Sequence, residues 1–167
     1  MATVAEMLGV MGTLTSIRRG HAALRTGRVS LAGHVYLVTF TTSDRRRHFE
    51  RWDVAATACR AMTSPSQWQR SRLLAWVLMP DHWHGLVALG EFDDLSTCIG
   101  RFKGRSSRLV RAAHPATGTV WAPAFHDRAI RNDDALIHAA RYLVMNPVRA
   151  GLVGRIGDYP FWDARWL

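Results

Sequence analysis

Two histidines separated by one residue are the first feature of this sequence that could carry chemistry. They stand in His82-Trp83-His84, inside an apolar segment that runs to Leu89. Side chains alternate across a β-strand, so a strand here would point both imidazoles to one face and Trp83 to the other. Two imidazoles at this spacing can share one divalent metal ion. The alternative is a pair of surface or hydrogen-bonded histidines, and the spacing alone leaves both interpretations open.

A tyrosine near the end of a predicted helix is the second candidate. With about 100° of rotation per residue, His138, Tyr142 and Asn146 form one stripe of the helix. This stripe is separate from the apolar face, which consists of Leu136, Ala139, Ala140, Leu143 and Val144. A phenol can be a nucleophile where its phenolate is stabilised and its target is metal-activated or strongly electrophilic. The alternative is a half-buried tyrosine whose hydroxyl contacts solvent.

Basic residues are the third feature. The chain has 22 Lys and Arg against 13 Asp and Glu, a formal net charge of +9, and a sequence pI near 11.1. This balance suggests a polyanionic partner such as nucleic acid, with an anionic membrane surface as the competing partner. A solvated helix face, or the arginine-rich composition of a GC-rich genome, would also explain it. The candidate DNA-binding residues are Arg18, Arg19, Arg25, Arg28, Arg101, Lys103, Arg105, Arg108 and Arg111.

Seven elements are predicted to position these residues. They are a strand from His34 to Thr42, a helix from Glu50 to Met62, strands from Leu73 to Pro80 and His82 to Leu89, a helix from Asp93 or Asp94 towards Val110, a strand within Val120 to Ile130, and a helix opened by Asn132, Asp133 and Asp134. The two central strands form a hairpin. Pro147 is expected to close the last helix and to disfavour helical geometry at Asn146 and beyond.

The order β-α-β-β-α-β-α predicts an α+β fold with a ferredoxin-like, antiparallel, four-stranded sheet and helices on one face. We divide the chain into a basic, flexible N-terminal arm over residues 1–33, a domain over 34–153, and a C-terminal tail over 154–167 that packs on the domain. A hydrophobic content of 48% is sufficient for a buried core.

Several classes of protein are disfavoured by what the sequence lacks. Cys59 and Cys98 are far apart and have no C-x-x-C spacing, so they indicate neither a thiolate zinc site nor a disulfide framework. No apolar run approaches the roughly 20 residues of a membrane span. The opening residues lack the charge order of a secretory signal. We therefore expect a cytoplasmic protein without a membrane partner.

Five segments together resemble the REP-associated tyrosine transposases, relatives of the single-tyrosine transposases in the HUH nuclease superfamily. They are RTGRVSLAGHVYLVTFTT from Arg25, MPDHWHGL from Met79, FHDRAIR from Phe125, YLVMNPVRAGLV from Tyr142 and DYPFWDARWL from Asp158. MPDHWHGL followed by Y-L-x-x-N-P-V is a specific combination, whereas either motif alone is weak. The resemblance covers most of the chain and leaves the segment before Arg18 unmatched.

By this resemblance, His82 and His84 are metal ligands, Asn146 is a third ligand of the amide type, and Tyr142 is the nucleophile. The implied cofactor is Mg²⁺ or Mn²⁺, and the implied partner is single-stranded DNA that carries REP-like hairpins. The implied reaction is a transesterification in which the tyrosine attacks phosphorus, leaving a 5′-phosphotyrosine link and a free 3′-hydroxyl. Reversal by another 3′-hydroxyl would rejoin the DNA.

Three functions stay open at this point. They are an active strand-transferase, a domesticated hairpin-binding protein without catalysis, and a basic RNA-binding protein. The joint presence of the two histidines, the tyrosine and the asparagine favours the first. A general base is not identified, with His126, Asp127 and His138 as candidates. The protein could be a monomer or a homodimer.

Overall fold

The fold is that of a computed structural model, which describes residues 30–131 and 133–166. Its elements in chain order are β1 Val35–Thr41, α1 Trp52–Met62, β2 Arg72–Met79, β3 His82–Ala88, α2 Leu95–Ala113, β4 His126–Ile130, α3 Asp133–Val144, α4 Asn146–Arg149 and β5 Trp162–Ala164. Nearly all of the predicted N-terminal arm lies outside the described residues, and with it Arg18, Arg19, Arg25 and Arg28.

The five strands form one antiparallel sheet in the order β4-β1-β3-β2-β5. β2 and β3 form the predicted hairpin and turn at Pro80 and Asp81. The α+β class and the β-α-β-β-α-β-α order are therefore confirmed. The prediction of four strands is short by one, because β5 is only three residues long and too short for its side-chain alternation to be read.

Helices pack on both faces of the sheet, so the expectation of one covered face is wrong. α1 and α2 cover the face that carries Phe40 and Trp83. α3 covers the opposite face, where Ala140, Leu143 and Val144 pack against side chains of β2, β3 and β5. The apolar stripe of α3 was correctly read from its periodicity, but periodicity does not say which face of a sheet a helix covers.

Two element boundaries differ from the prediction. β4 begins at His126, and the expected strand start near Val120 is replaced by an isolated bridge between Trp121 and Thr42. α3 ends at Val144, but helical geometry resumes at Asn146 despite the proline at position 147. Proline is tolerated in the first turn of a helix, where its missing N–H has no partner to lose, and here it lies in the first turn of α4.

The N-terminus of α2 agrees with the sequence. The Asp94 carboxylate accepts hydrogen bonds from the backbone N–H groups of Ser96 and Thr97, a normal N-cap arrangement.

Both cysteines are free thiols. Burial raises the pKa of Cys59 to about 12 and that of Cys98 to about 11, so neither is a reactive thiolate near neutral pH. Within residues 30–131 and 133–166, no helix combines the length and the apolarity needed to cross a membrane.

Trp83 anchors β3 in the core. Its side chain is fully buried, with its ring centroid 5.0 Å from that of Phe40 and 4.8 Å from that of Phe102. The indole extends over Gly85, the next residue of β3 on the same face, and a Cβ atom built at that position would overlap the ring. Glycine at position 85 is therefore what lets the indole lie flat along the strand.

We expect Gly85→Ala to destabilise the protein by about 1–3 kcal/mol, because the added methyl group overpacks a core that has no space for it. Gly104→Ala is the matched control, since a Cβ at that position on α2 meets nothing within 4 Å. Removing a helical glycine there should raise the free energy of unfolding by roughly 0.5–1 kcal/mol. Chemical denaturation of both variants measures the difference, and equal stabilities would contradict this account of Gly85.

Candidate active site

β3 presents both histidines on the sheet face that α3 covers. His84 lies opposite Val77 of β2 and Thr39 of β1, and His82 lies opposite Met79 and Thr41. Both side chains are half-buried. The centroids of the two imidazole rings are 4.7 Å apart and the ring planes are nearly perpendicular, at 88°. The two rings are thus close enough for one cation to contact both, as their spacing in the sequence suggested.

Each imidazole is anchored through its Nδ1 atom. His82 Nδ1 lies 2.6 Å from Asp81 Oδ1, and His84 Nδ1 lies 2.7 Å from Thr39 Oγ1. An ionised carboxylate only accepts hydrogen bonds, so His82 Nδ1 donates; the Thr39 hydroxyl can accept from His84 in the same way. Asp81 Oδ2 also accepts from Arg45 at 3.3 Å. His82 Nε2 is therefore left with a lone pair for a ligand, and so is His84 Nε2 in the tautomer in which Nδ1 donates to Thr39.

The surroundings favour neutral rings beside an ionised carboxylate. Burial lowers the pKa of His84 to about 3, and the positive charges of His82 and Arg149 act in the same direction. Burial also lowers the pKa of His82, although Asp81 opposes that change. Burial would raise the pKa of Asp81, but its bonds and charge interactions with His82 and Arg45 hold it below its ordinary value. At neutral pH the two rings are in the protonation state that metal binding needs.

Tyr142 lies near the C-terminal end of α3 and is 38% exposed, while its neighbours Leu143 and Val144 are buried against the sheet. Asn146 begins α4, which contacts β2. The tyrosine and the asparagine are joined by Arg149, which donates a hydrogen bond to the Tyr142 carbonyl oxygen at 2.7 Å and another to Asn146 Oδ1. The Arg149 guanidinium carbon lies 3.6 Å from the centre of the phenol ring.

The donor atoms suit a divalent ion. Among residues 30–131 and 133–166, no group of three His, Cys, Asp or Glu side chains could hold a metal, so the histidine pair needs a further ligand of another type. The Asn146 amide oxygen is a hard donor at the start of α4, which contacts β2, and imidazole accepts a range of metals. Two neutral imidazoles with oriented Nε2 atoms and one amide oxygen are a chemically reasonable set for Mg²⁺ or Mn²⁺.

The basic residues of α2 fall into two groups. Arg101 is paired with Asp93 at 2.7 Å, Lys103 donates to the carbonyl oxygens of residues 122–124, and Arg105 donates to Ser64 and Ser66. Arg108 and Arg111 are exposed on the same helix. Contact of these five side chains with phosphates stays a prediction, but the first three already hold parts of the fold together.

The three candidates for a general base lie in different places. His126 of β4 is exposed, lies opposite Thr39 and therefore shares the histidine face. Asp127 lies opposite Val38, which belongs to the other face. His138 is exposed on α3, one helical turn before Tyr142.

Sequence reasoning missed three residues of this arrangement. Asp81 had a usable signal, since an acidic residue directly precedes the first histidine. Thr39 had none, because its contact depends on the pairing of β1 with β3, across 45 positions of the chain. Arg149 is part of the quoted YLVMNPVRAGLV segment, but its contacts depend on the break between α3 and α4.

Fold and sequence together define the class of protein. The family described as "Transposase IS200 like" matches residues 30–144, and this chain belongs to that family. The chain is 35% identical over 89 residues to the REP-associated tyrosine transposase of Escherichia coli (strain K12), an alignment that covers 52% of this chain and 50% of that protein. The chain thus spans about half the length of the curated relatives it matches.

Two solved structures are similar to this one. The first is described as the REP-associated tyrosine transposase bound to a REP hairpin, and it matches with a TM-score of 0.63 and 26% identity over 81% of this chain and 79% of that chain. The second is a protein of Deinococcus radiodurans R1, with a TM-score of 0.50 and 20% identity over 70% and 92%. The second likeness concerns the fold alone.

We expect Asp81→Asn and Thr39→Val each to weaken Mn²⁺ binding by about 10–100-fold, although neither side chain is a proposed ligand. Each change loosens the partner that fixes one imidazole. The free Mn²⁺ signal in electron paramagnetic resonance gives the dissociation constant directly. Asp158→Asn is the control, because Asp158 pairs with Arg155 at the surface. Unchanged affinity in both test variants would show that the Nδ1 contacts do not orient ligands.

Proposed function

We propose that this protein is a metal-dependent endonuclease and strand-transferase for single-stranded DNA, acting near hairpins of the REP type. The observation that carries the proposal is the pair His82 and His84, each anchored through Nδ1 on the sheet face to which the helix of Tyr142 packs. Membership of the transposase family supports the reaction class. The relative bound to a REP hairpin supports the type of DNA.

The residues divide the work of the site. His82 and His84 would hold Mg²⁺ or Mn²⁺ through their Nε2 atoms, with the amide oxygen of Asn146 as third ligand. A divalent ion bound there supplies polarisation of the scissile phosphate and neutralises the charge that develops on it. Asp81 and Thr39 hold the two rings at their Nδ1 atoms, so that little reorganisation is needed when substrate binds.

Tyr142 performs the covalent step. Its phenolic oxygen attacks phosphorus, a new P–O bond forms to the tyrosine, and the bond from phosphorus to the 3′ oxygen breaks. The phenol loses its proton to a base, and the leaving oxygen gains one to become a 3′-hydroxyl. The 5′-phosphotyrosine link keeps the energy of the broken ester, so another 3′-hydroxyl can reverse the step and join strands without ATP. The 38% exposure of Tyr142 supports access of DNA to its side chain.

We expect Tyr142→Phe to abolish a covalent protein–DNA adduct while hairpin binding stays within about twofold, because only the nucleophilic oxygen is removed. The assay incubates the protein with hairpin-bearing single-stranded oligonucleotides and Mn²⁺, then resolves adducts on a denaturing gel. Excess EDTA should abolish the wild-type adduct as well.

Two outcomes separate the proposal from its alternative. Hairpin binding without any adduct from the wild-type protein would favour the domesticated binding module. An adduct formed equally by the phenylalanine variant would exclude Tyr142 as the nucleophile.

We expect exposed and paired arginines of α2 to behave differently toward DNA. Arg108→Gln and Arg111→Gln should each lower the slope of log affinity against log salt by about 1, with an unchanged melting temperature. Arg101→Gln should lower the melting temperature instead, since it leaves the Asp93 carboxylate, 2% exposed, without its ion pair. Binding titrations over a range of salt concentrations, beside thermal melts, measure both. Identical slopes in wild type and in the two exposed variants would place the DNA elsewhere.

A further inference from the structure

Arg149 contacts two residues of the proposed machinery, Tyr142 and Asn146. Its guanidinium stacks on the Tyr142 ring, one nitrogen donates to the Tyr142 carbonyl oxygen, and another donates to Asn146 Oδ1. The same oxygen is the proposed third ligand of the metal ion. Arg149 therefore contacts both the proposed nucleophile and a proposed ligand.

The contact with Asn146 conflicts with metal binding. A guanidinium on Oδ1 places a positive charge within a few ångströms of any cation that uses the same oxygen, and two like charges at that distance repel. The two contacts with Tyr142 carry no such conflict. They involve a ring face and a backbone carbonyl, neither of which the ion needs.

We propose that Arg149 is a positioning residue with two separable effects: it competes with the metal ion for Asn146 Oδ1, and it orients the Tyr142 phenol whether or not the metal is bound. This inference rests on the proposed function of the site. It implies that metal binding transfers Asn146 from the arginine to the ion, while the guanidinium stays on the tyrosine. Before a metal ion binds, Arg149 would thus hold Tyr142 and Asn146 next to each other.

A double-mutant cycle on Mn²⁺ affinity tests the competition without any DNA. Arg149→Met should bind Mn²⁺ at least about fivefold more tightly than the wild type, because the guanidinium no longer competes for Oδ1. In an Asn146→Ala background the same change should have a clearly smaller effect, because the contested oxygen is absent and only the charge of the guanidinium is removed. Arg149→Lys keeps the charge but loses the planar fork, so its gain in Mn²⁺ affinity should be smaller than that of Arg149→Met. Arg155→Met, which removes an exposed cation paired with Asp158, is the control.

Adduct formation tests the second effect. At saturating Mn²⁺, the rate constant for adduct formation by Arg149→Met should fall by about tenfold or more, because the phenol is no longer oriented. Tighter metal binding together with a slower reaction is the signature of the proposal. If Arg149 only capped the helix, its replacement would leave Mn²⁺ binding unchanged or weaker and would lower the melting temperature.

The outcomes distinguish this inference from the function on which it rests. An Arg149→Met effect on Mn²⁺ affinity that is equally large in the Asn146→Ala background would show that the arginine acts only through its charge and would overturn the competition. If the Arg149→Met effect on Mn²⁺ affinity depends on Asn146 but the wild type forms no adduct, the proposed function is contradicted and the competition still holds. If the wild type forms an adduct but the Arg149→Met effect does not depend on Asn146, only the inference is contradicted. A wild type that binds no Mn²⁺ would contradict both.

Discussion

The packing of Trp83 against Phe40 and Phe102 fixes the sheet face to which the two histidines of the candidate site point. Because side chains alternate along β3, the buried indole on one face obliges the histidines on either side of it to point to the other. A slip of one residue in the pairing with β1 would bury two imidazoles in the aromatic core and move the tryptophan to the histidine face, at a large cost in free energy. The apolar core thus specifies the geometry of a polar site through the sheet.

The surplus of positive charge does more than attract a polyanion. Arg45 pairs with Asp81, which in turn orients His82, while Arg101 neutralises a buried carboxylate and Lys103 holds three carbonyl oxygens of the loop before β4. These cations are structural parts of the site and of its support. The net charge of +9 therefore overstates the number of cations that are available to a phosphate backbone.

The features that depend on local sequence patterns could be predicted from the sequence. The alternating apolar segment of β1, the histidine pair on one strand face and the apolar stripe of α3 follow from periodicity, and the family followed from joined motifs. The fifth strand, the second covered face and the helical turn at Pro147 depend on tertiary packing, and each differed from the prediction. Thr39 beside His84 depends on strand register, which no local pattern encodes.

The break between α3 and α4 explains why an arginine belongs beside the tyrosine. The last carbonyl groups of a helix lack intrahelical partners, and the aligned peptide dipoles give that end a partial negative charge. Tyr142 lies close to this end, where a phenolate or a DNA phosphate would meet repulsion. Pro147 starts a new turn that returns Arg149 to the end of α3, where its guanidinium satisfies the Tyr142 carbonyl and places a positive charge against the phenol. A tyrosine proposed as a nucleophile at an exposed helix end would be stabilised by such a counter-charge, which this chain supplies from the next turn along.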